Sequence, residues 1–281
     1  MTVINTNISS LIGQNNLRLT GLGLQTSLER LSSGLRINHA ADDPSGLGMA
    51  KGMEAQIGGI NTAVQNAQDG VSLIHTADGA LSETQDILMR MRDLAVRGSN
   101  DATLTTADRT RLKNEFGSLI SEINRKAHAV TFNTKTLFSG VFSGVAANIP
   151  KLQIGPDNGT NFRLTMRINA VTQSTLGLSN AAVNFANASA CRSCITLVNS
   201  AINQVSDIRA SLGITENRIN DIINDLQAEN INISAAKSRI MDADMAVEIS
   251  GFTKLQILQQ TGTAILAQAN AQPQSILQLL K

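Results

Sequence analysis

From Ile195 to Ile233, rungs recur at alternating spacings of three and four: Ile195, Val198, Ile202, Val205, Arg209, Leu212, Glu216, Ile219, Ile223, Leu226, Asn230 and Ile233. Nine of these twelve rungs are apolar, which is the spacing of a coiled coil. A helix with such a stripe has to bury it against another helix. A partner stripe runs through Ile57, Ile60, Val64, Ala67, Val71, Ile74, Leu81 and Leu88. The simplest solution packs the stretch near 56–99 against the stretch near 190–233. A shorter helix over about 105–128 follows the break Gly98-Ser99-Asn100-Asp101, with Thr105 and Asp108 as its capping box.

Between the two helical halves the period changes from 3.6 to two. Phe162, Leu164, Met166 and Ile168 alternate with Arg163, Thr165 and Arg167, the pattern of a half-buried strand. Leu152 and Ile154 stand before it, separated from it by the turn Gly155-Pro156-Asp157-Asn158-Gly159. Together they predict a β-hairpin. The fold class is therefore mainly α: a long antiparallel helical bundle or coiled coil, paired terminal helices and a small hairpin insert. Of 281 residues only 2% are aromatic, with no Trp or Tyr. Cores and ligand pockets lean on large aromatic rings, so their scarcity favours long helices packed by Leu, Ile, Val and Ala.

The two ends share one peculiarity. No charged side chain precedes Arg18, and none lies between Lys254 and Lys281. Helical spacing is nonetheless present: Ile4, Ile8, Leu11, then Leu24, Leu28, Leu31 and Leu35 at one end, and Val247, Leu255, Leu258, Ile265 and Ala269 at the other. A solvated helix shows Lys and Glu on its outer face. Neutral Gln, Asn, Ser and Thr suit a helix enclosed by other protein or lining a narrow aqueous channel. A membrane-surface helix is the rival, but that class wants Lys and Arg on its polar face.

Several function classes find little support. A net charge of +1 gives no electrostatic footprint for nucleic acid. The start Met1-Thr2-Val3-Ile4-Asn5 lacks the basic and apolar regions of a cleaved signal peptide. No apolar run reaches the 18 residues of a membrane span. No H-E-x-x-H, phosphate loop, dinucleotide loop or G-x-S-x-G elbow occurs, so no enzyme, cofactor or metal site is expected. Asp42-Asp43 is followed by Pro44-Ser45-Gly46, which favours a turn or helix start over a cation site. Asn158-Gly159-Thr160 matches a glycosylation triplet that is common by chance. The only cysteines, Cys191 and Cys194, form a single C-x-x-C with no second pair. They are expected as two surface thiols near the start of a helix.

The run Ser27-Leu28-Glu29-Arg30-Leu31-Ser32-Ser33-Gly34-Leu35-Arg36-Ile37-Asn38, with Ile4-Asn5-Thr6-Asn7, Gln14-Asn15-Asn16-Leu17, Asp42-Asp43 and Gly46-Leu47, resembles the N-terminal signature of bacterial flagellins. Ser238-Arg239-Ile240, Asp242-Ala243-Asp244, Gln256-Ile257-Leu258-Gln259-Gln260, Leu266-Ala267-Gln268-Ala269-Asn270, Gln272-Pro273-Gln274 and Leu277-Gln278-Leu279-Leu280 resemble the C-terminal one. The resemblance covers roughly residues 1–140 and 190–281, without the outer variable domains that many flagellins carry. It implies a non-enzymatic structural subunit of the extracellular flagellar filament, exported without cleavage by a type III route. Its implied partners are copies of itself, the filament cap, the junction protein, an export chaperone and the export apparatus. Nucleic acid and membrane insertion are not implied.

The resemblance also implies a layout. Residues 1–40 and 241–281 form a discontinuous inner domain of terminal helices, and 41–240 form the bundle with its insert at about 130–180. Ordering isolated helices costs about 1–2 kcal/mol per residue, so the ends are expected to order mainly on assembly. Expected subunit contacts are Leu28, Leu31, Leu35, Leu255, Leu258, Leu266 and Leu277 as apolar anchors, with Arg30, Arg36 and Arg239 as polar ones. Met89-Arg90-Met91-Arg92-Asp93-Leu94 with Glu115 resembles a helix surface read by host innate immune receptors; Arg90, Leu94 and Glu115 fit its pattern, while Met89 stands where a Gln is common. A hook–filament junction protein of the same superfamily is the alternative.

Overall fold

The computed structural model describes residues 6–142, 149–179 and 183–279, with side chains described as far as Ala271. The elements are α1 (Ile8–Ser33), α2 (Pro44–Gly98), α3 (Thr106–Ala129), β1 (Thr131–Phe132), β2 (Lys135–Thr136), β3 (Lys151–Gln153), β4 (Arg163–Thr165), α4 (Ala188–Met241) and α5 (Met245–Leu279). The chain divides into two compact units. One comprises Met1–Ile57 and Ile231–Lys281, the other Gly58–Asn230.

In the second unit α2 and α4 run antiparallel. Asn61 meets Asn230, His75 meets Glu216 and Arg92 meets Asn199, so partner numbers fall along α4 as they rise along α2. Along the buried face of α2, Ile60, Ala63, Ala67, Gly70, Ile74, Ala77, Leu81, Thr84, Leu88, Met91, Ala95 and Gly98 follow an unbroken alternation of three and four, with Leu94 buried beside the last of them. This corrects half of the sequence ladder. Ile60, Ala67, Ile74, Leu81 and Leu88 are rungs as expected. The rungs between them, however, are the small residues Ala63, Gly70, Ala77 and Thr84, while Val64 and Val71 are only half-buried.

The reason is close approach. A Cβ on Gly70 would stand 2.5 Å from Leu152 Cδ2 of the hairpin and 3.6 Å from Ile219 Cδ1 of α4. On α4 the same correction holds: Val198, Val205, Leu212, Ile219 and Leu226 are buried, with Ala201 and Ile208 rather than Ile202 and Arg209 as their companions. The three polar rungs lie at the flank of this seam and each finds a partner on α2. Arg209 donates to Asp78 at 2.7 and 3.2 Å and to Gln85 at 2.9 Å; Glu216 lies 2.9 Å from His75 Nε2; Asn230 donates to Asn61 at 2.7 Å.

The break after Gly98 and the capping box at Thr105 stand where the sequence puts them. Thr105 Oγ1 accepts from the Asp108 N–H at 3.3 Å, and the Thr105 N–H donates to Asp108 Oδ2 at 3.3 Å. A buried arginine completes the corner. Arg109 donates to the carbonyl oxygens of Gly98 and Asn100 and to Asp101 Oδ1 at 2.5 Å, satisfying carbonyls that end α2.

The hairpin forms as β3 against β4, antiparallel, with Leu152 opposite Leu164. Leu164, Met166 and Ile168 point into the core. It lies on α2: Asn66 Nδ2 donates to Gln153 O at 3.2 Å, and a Cβ on Gly59 would stand 2.7 Å from Pro156 Cβ. A second hairpin, β1 against β2, turns through Asn133 and Thr134, both at positive φ (46° and 66°). Such a turn commonly carries Asn-Gly; here a β-branched residue occupies the left-handed position, so the motif left no sequence signal.

The first unit is built on α1 against α5, also antiparallel, and the two helices interlock by glycine and leucine. A Cβ on Gly13 would meet Leu266 Cδ1 at 3.1 Å, one on Gly23 would meet Leu255 Cδ2 at 3.4 Å, and one on Gly262 would meet Leu17 Cδ1 at 3.1 Å. Each terminal helix therefore packs on a partner within its own chain. Asn7 caps α1, accepting from the Ser10 N–H at 3.1 Å, and its amide donates to Ala269 O at 2.8 Å. Gly34 ends α1 at φ 73°, and its N–H donates to Arg30 O at 2.8 Å. Asp43, the residue before Pro44, accepts from the Gly46 N–H at 2.9 Å and so caps the start of α2. Asp42 accepts instead from the N–H groups of Asn38 and His39. The acidic pair is thus spent on backbone, as the helix-start reading expects.

Candidate assembly surface

Along α1, Ile8, Leu11, Ile12, Leu19 and Leu22 share one side of the helix, away from α5. Each is between 51% and 60% exposed. On α5, Val247, Ile257, Leu258 and Ile265 are between 45% and 68% exposed. Scattered surface leucines are ordinary, but a contiguous apolar stripe marks an interaction site. Here it lies on the two segments whose polar residues are almost all neutral. Of these apolar residues only Leu258 is among the expected contacts. Ile8, Leu11, Val247 and Ile265 belong to the helical spacing read in the sequence, and on α1 Ile12, Leu19 and Leu22 continue the stripe that Ile8 and Leu11 begin.

The expected anchors divide in two. Leu28 and Leu258 are exposed. Leu31, Leu35, Leu255 and Leu266 are half-buried, the last two against the glycine notches of α1. Leu277 lies in α5, but its side chain is outside the described residues. The arginines are also distinct. Arg36 Nη2 and Nε donate to Ile240 O at 2.7 and 3.3 Å, capping the last turn of α4. The Arg36 N–H donates to Met241 O at 2.6 Å, and Gly34 O accepts from Ala243 at 2.9 Å. Arg239 is exposed. Arg30 stands 4.0 Å from Glu248, whose other oxygen accepts from the Ser27 hydroxyl at 2.5 Å. Arg30 Nε is the one buried side-chain nitrogen or oxygen without a hydrogen-bond partner among the described residues.

On α2 and α3, Arg90 and Glu115 form an exposed ion pair at 2.6 Å. Leu94, expected beside them on the helix surface, is 2% exposed, because it belongs to the inward face of α2. The cysteines are a second correction. Cys191 and Cys194 stand near the start of α4 as expected, but they are 0% and 1% exposed and free. Burial pushes both thiols above their ordinary range. Among the described residues no cluster of three metal-binding side chains occurs, and no helix is long and apolar enough to cross a membrane.

Residues 4–143 match the bacterial flagellin N-terminal helical region, and residues 195–280 match the C-terminal one. The chain is 40% identical over 279 residues to the flagellin of Halalkalibacterium halodurans, covering 99% of this chain and all of that one. It is 41% identical over 304 residues to the flagellin of Bacillus subtilis, covering 99% of each. In fold it is similar to a protein of Vibrio parahaemolyticus described as flagellar hook-associated. That likeness has a TM-score of 0.59 at 14% identity and covers 72% of this chain and all of the other. Both helical ends and nearly the full length thus place this chain in the bacterial flagellin family, the structural proteins of the extracellular flagellar filament.

Proposed function

We propose that copies of this chain join through the stripe that α1 and α5 leave uncovered, and that this contact propagates as a helical polymer. The observation that carries the reading is the exposed run Ile8, Leu11, Ile12, Leu19 and Leu22. Burying a side chain of this size stabilises by about 1.5–3 kcal/mol. These five are only 51–60% exposed, so together they contribute about 4–8 kcal/mol, which meets the lower end of the roughly 4–15 kcal/mol cost of fixing one subunit on another, and the α5 residues add to it. Leu258 adds to the face on α5, whereas Leu28, exposed on the other side of α1, offers a second contact. Leu31, Leu35, Leu255 and Leu266 serve it by holding α1 and α5 in register, and Leu277 extends it toward the C-terminus. Neutral Gln and Asn around these leucines hydrogen-bond between subunits without the desolvation cost of charge.

Arg30 and Arg239 supply polar contacts to a neighbour. The Arg30 side chain is 31% exposed, so the accessible part of its guanidinium is what a neighbour's oxygen reaches. Arg36 acts through the turn that it caps. In this reading residues 1–40 and 241–281 form the layer through which subunits join. The contact is head-to-tail and does not close on itself, so it continues as a filament. The chain carries out no reaction. Cap, junction protein, chaperone and export apparatus are the partners the family resemblance implies, and the Arg90–Glu115 pair is the exposed part of an innate-receptor surface. The junction-protein alternative rests on a likeness of fold at 14% identity.

The test is seeded polymerisation followed by negative-stain electron microscopy. Full-length chain is compared with a chain ending at Ser250, which lacks most of α5. Long filaments from the full chain alone, with the shortened chain still helical by circular dichroism, support the reading. No polymer from soluble, folded full-length chain favours the junction protein.

A further inference from the structure

Cys191 and Cys194 lie within the first two turns of α4, which begins where Asn187 Oδ1 accepts from the Ala190 N–H at 2.8 Å. Both thiols face the core. A Cβ on Gly98, the last residue of α2, would stand 3.0 Å from Cys191 Sγ and 3.0 Å from the Phe185 ring. That ring packs on Phe116 of α3, with centroids 5.2 Å apart and the planes tilted by 59°. Cys194 Sγ donates to Asn184 O at 3.4 Å. The two thiols therefore pin the start of α4 to the end of α2 and to the segment leading into α4, beside the corner that Arg109 holds.

Helix neighbours three residues apart keep their Cβ atoms about 5–6 Å apart. A disulfide needs about 3.5–4.5 Å. Oxidation and the native first turns of α4 thus compete for the same two sulfurs. We propose that Cys191 and Cys194 form a redox-sensitive lock on this end of the bundle: as a dithiol they close it, and as an intrachain disulfide they loosen it. The oxidant is a small-molecule disulfide such as oxidised glutathione. The Cys191 thiolate attacks one of its sulfurs and expels one glutathione thiolate. The Cys194 thiolate then attacks the mixed disulfide at Cys191 Sγ and expels the second. The two cysteine protons go to the two departing thiolates, so one disulfide is consumed and one is formed. Burial makes the reaction wait for local opening, and the raised thiols slow it further.

The experiment uses the full-length monomer. It is incubated with oxidised glutathione, both folded and in urea followed by refolding, and the product is identified by mass after alkylation. Stability and amide exchange are then compared with the reduced chain. The lock predicts one intrachain disulfide per chain, formed far faster in urea. It predicts a thermal midpoint for the second unit lower by about 2–8 °C, the range of a 1–2 kcal/mol change in a domain of this size. It also predicts exchange faster by about tenfold or more at 94–101 and 188–198, restored by dithiothreitol. The Cys191→Ala, Cys194→Ala double variant, treated identically, should not respond to oxidant. An oxidised chain with unchanged midpoint and exchange would overturn the proposal. So would stable mixed disulfides at both cysteines in place of the intrachain bond.

Discussion

Gly58 and Gly59 are neighbours in α2 with opposite surroundings. Nothing lies within 4 Å of a Cβ placed on Gly58, whereas one on Gly59 would press on both Cβ and Cα of Pro156. Glycine in a helix interior costs about 0.5–1 kcal/mol relative to alanine. Gly58→Ala should therefore raise stability by about that amount. Gly59→Ala should lower it by about 1–3 kcal/mol, because the hairpin has to move away. Urea unfolding of the two variants measures both signs. Carboxylates make the second prediction at this scale. Hydrogen bonds from the His39 and Asn38 N–H groups hold Asp42 below its ordinary 3.8. The Thr105 hydroxyl and N–H do the same for Asp108. A group lowered on folding contributes stability that is present above its unfolded value and lost as pH falls through its folded value. The turn at 34–43 and the start of α3 should thus weaken only below about pH 4, read as amide exchange against pH, and Asp108→Asn should remove that dependence from α3.

Between elements, polarity in the α2–α4 seam sets the register. Arg209 answers Asp78 and Gln85, and Glu216 answers His75. A slip of one heptad would leave Arg209 without its carboxylate, so the pair specifies alignment more than it stabilises. The Arg209 and Asp78 side chains are 33% and 42% exposed, which limits the direct interaction. A double-mutant cycle of Arg209→Ala and Asp78→Ala should return a coupling of about 0.5–1 kcal/mol. Additive single effects would reduce the pair to a bystander. Much of this level was legible: the ladders located both long helices, the Thr105 box located α3, and the period of two located the larger hairpin. The smaller rungs were not, because an apolar reading prefers Val64 and Val71 to Ala63 and Gly70. Which residue is the rung depends on how near Leu152 and α4 come, and spacing alone does not contain that distance.

At the scale of the whole molecule, the unusual property is how much apolar surface the terminal helices keep after pairing. Replacing Ile8, Leu11, Leu19 and Leu22 together by Gln should leave the urea midpoint of the second unit unchanged. It should abolish seeded polymerisation, scored by sedimentation and electron microscopy. A variant that still polymerises would move the contact to another face. The sequence by itself determined the fold class, the two helical halves, the hairpin between them and the charge-free ends, since period and charge are properties of a single segment. Only the tertiary structure decided which leucines are spent inside the chain and which remain for a neighbour. Leu255 and Leu258 share one helix and one residue type, yet one fills the notch over Gly23 and the other stands in solvent. The same holds for Leu94 and the cysteines, which the sequence placed on the surface and the packing of three helices placed inside. Facing direction is fixed by the partner, and a helix carries no record of its partner's position beyond its own stripe.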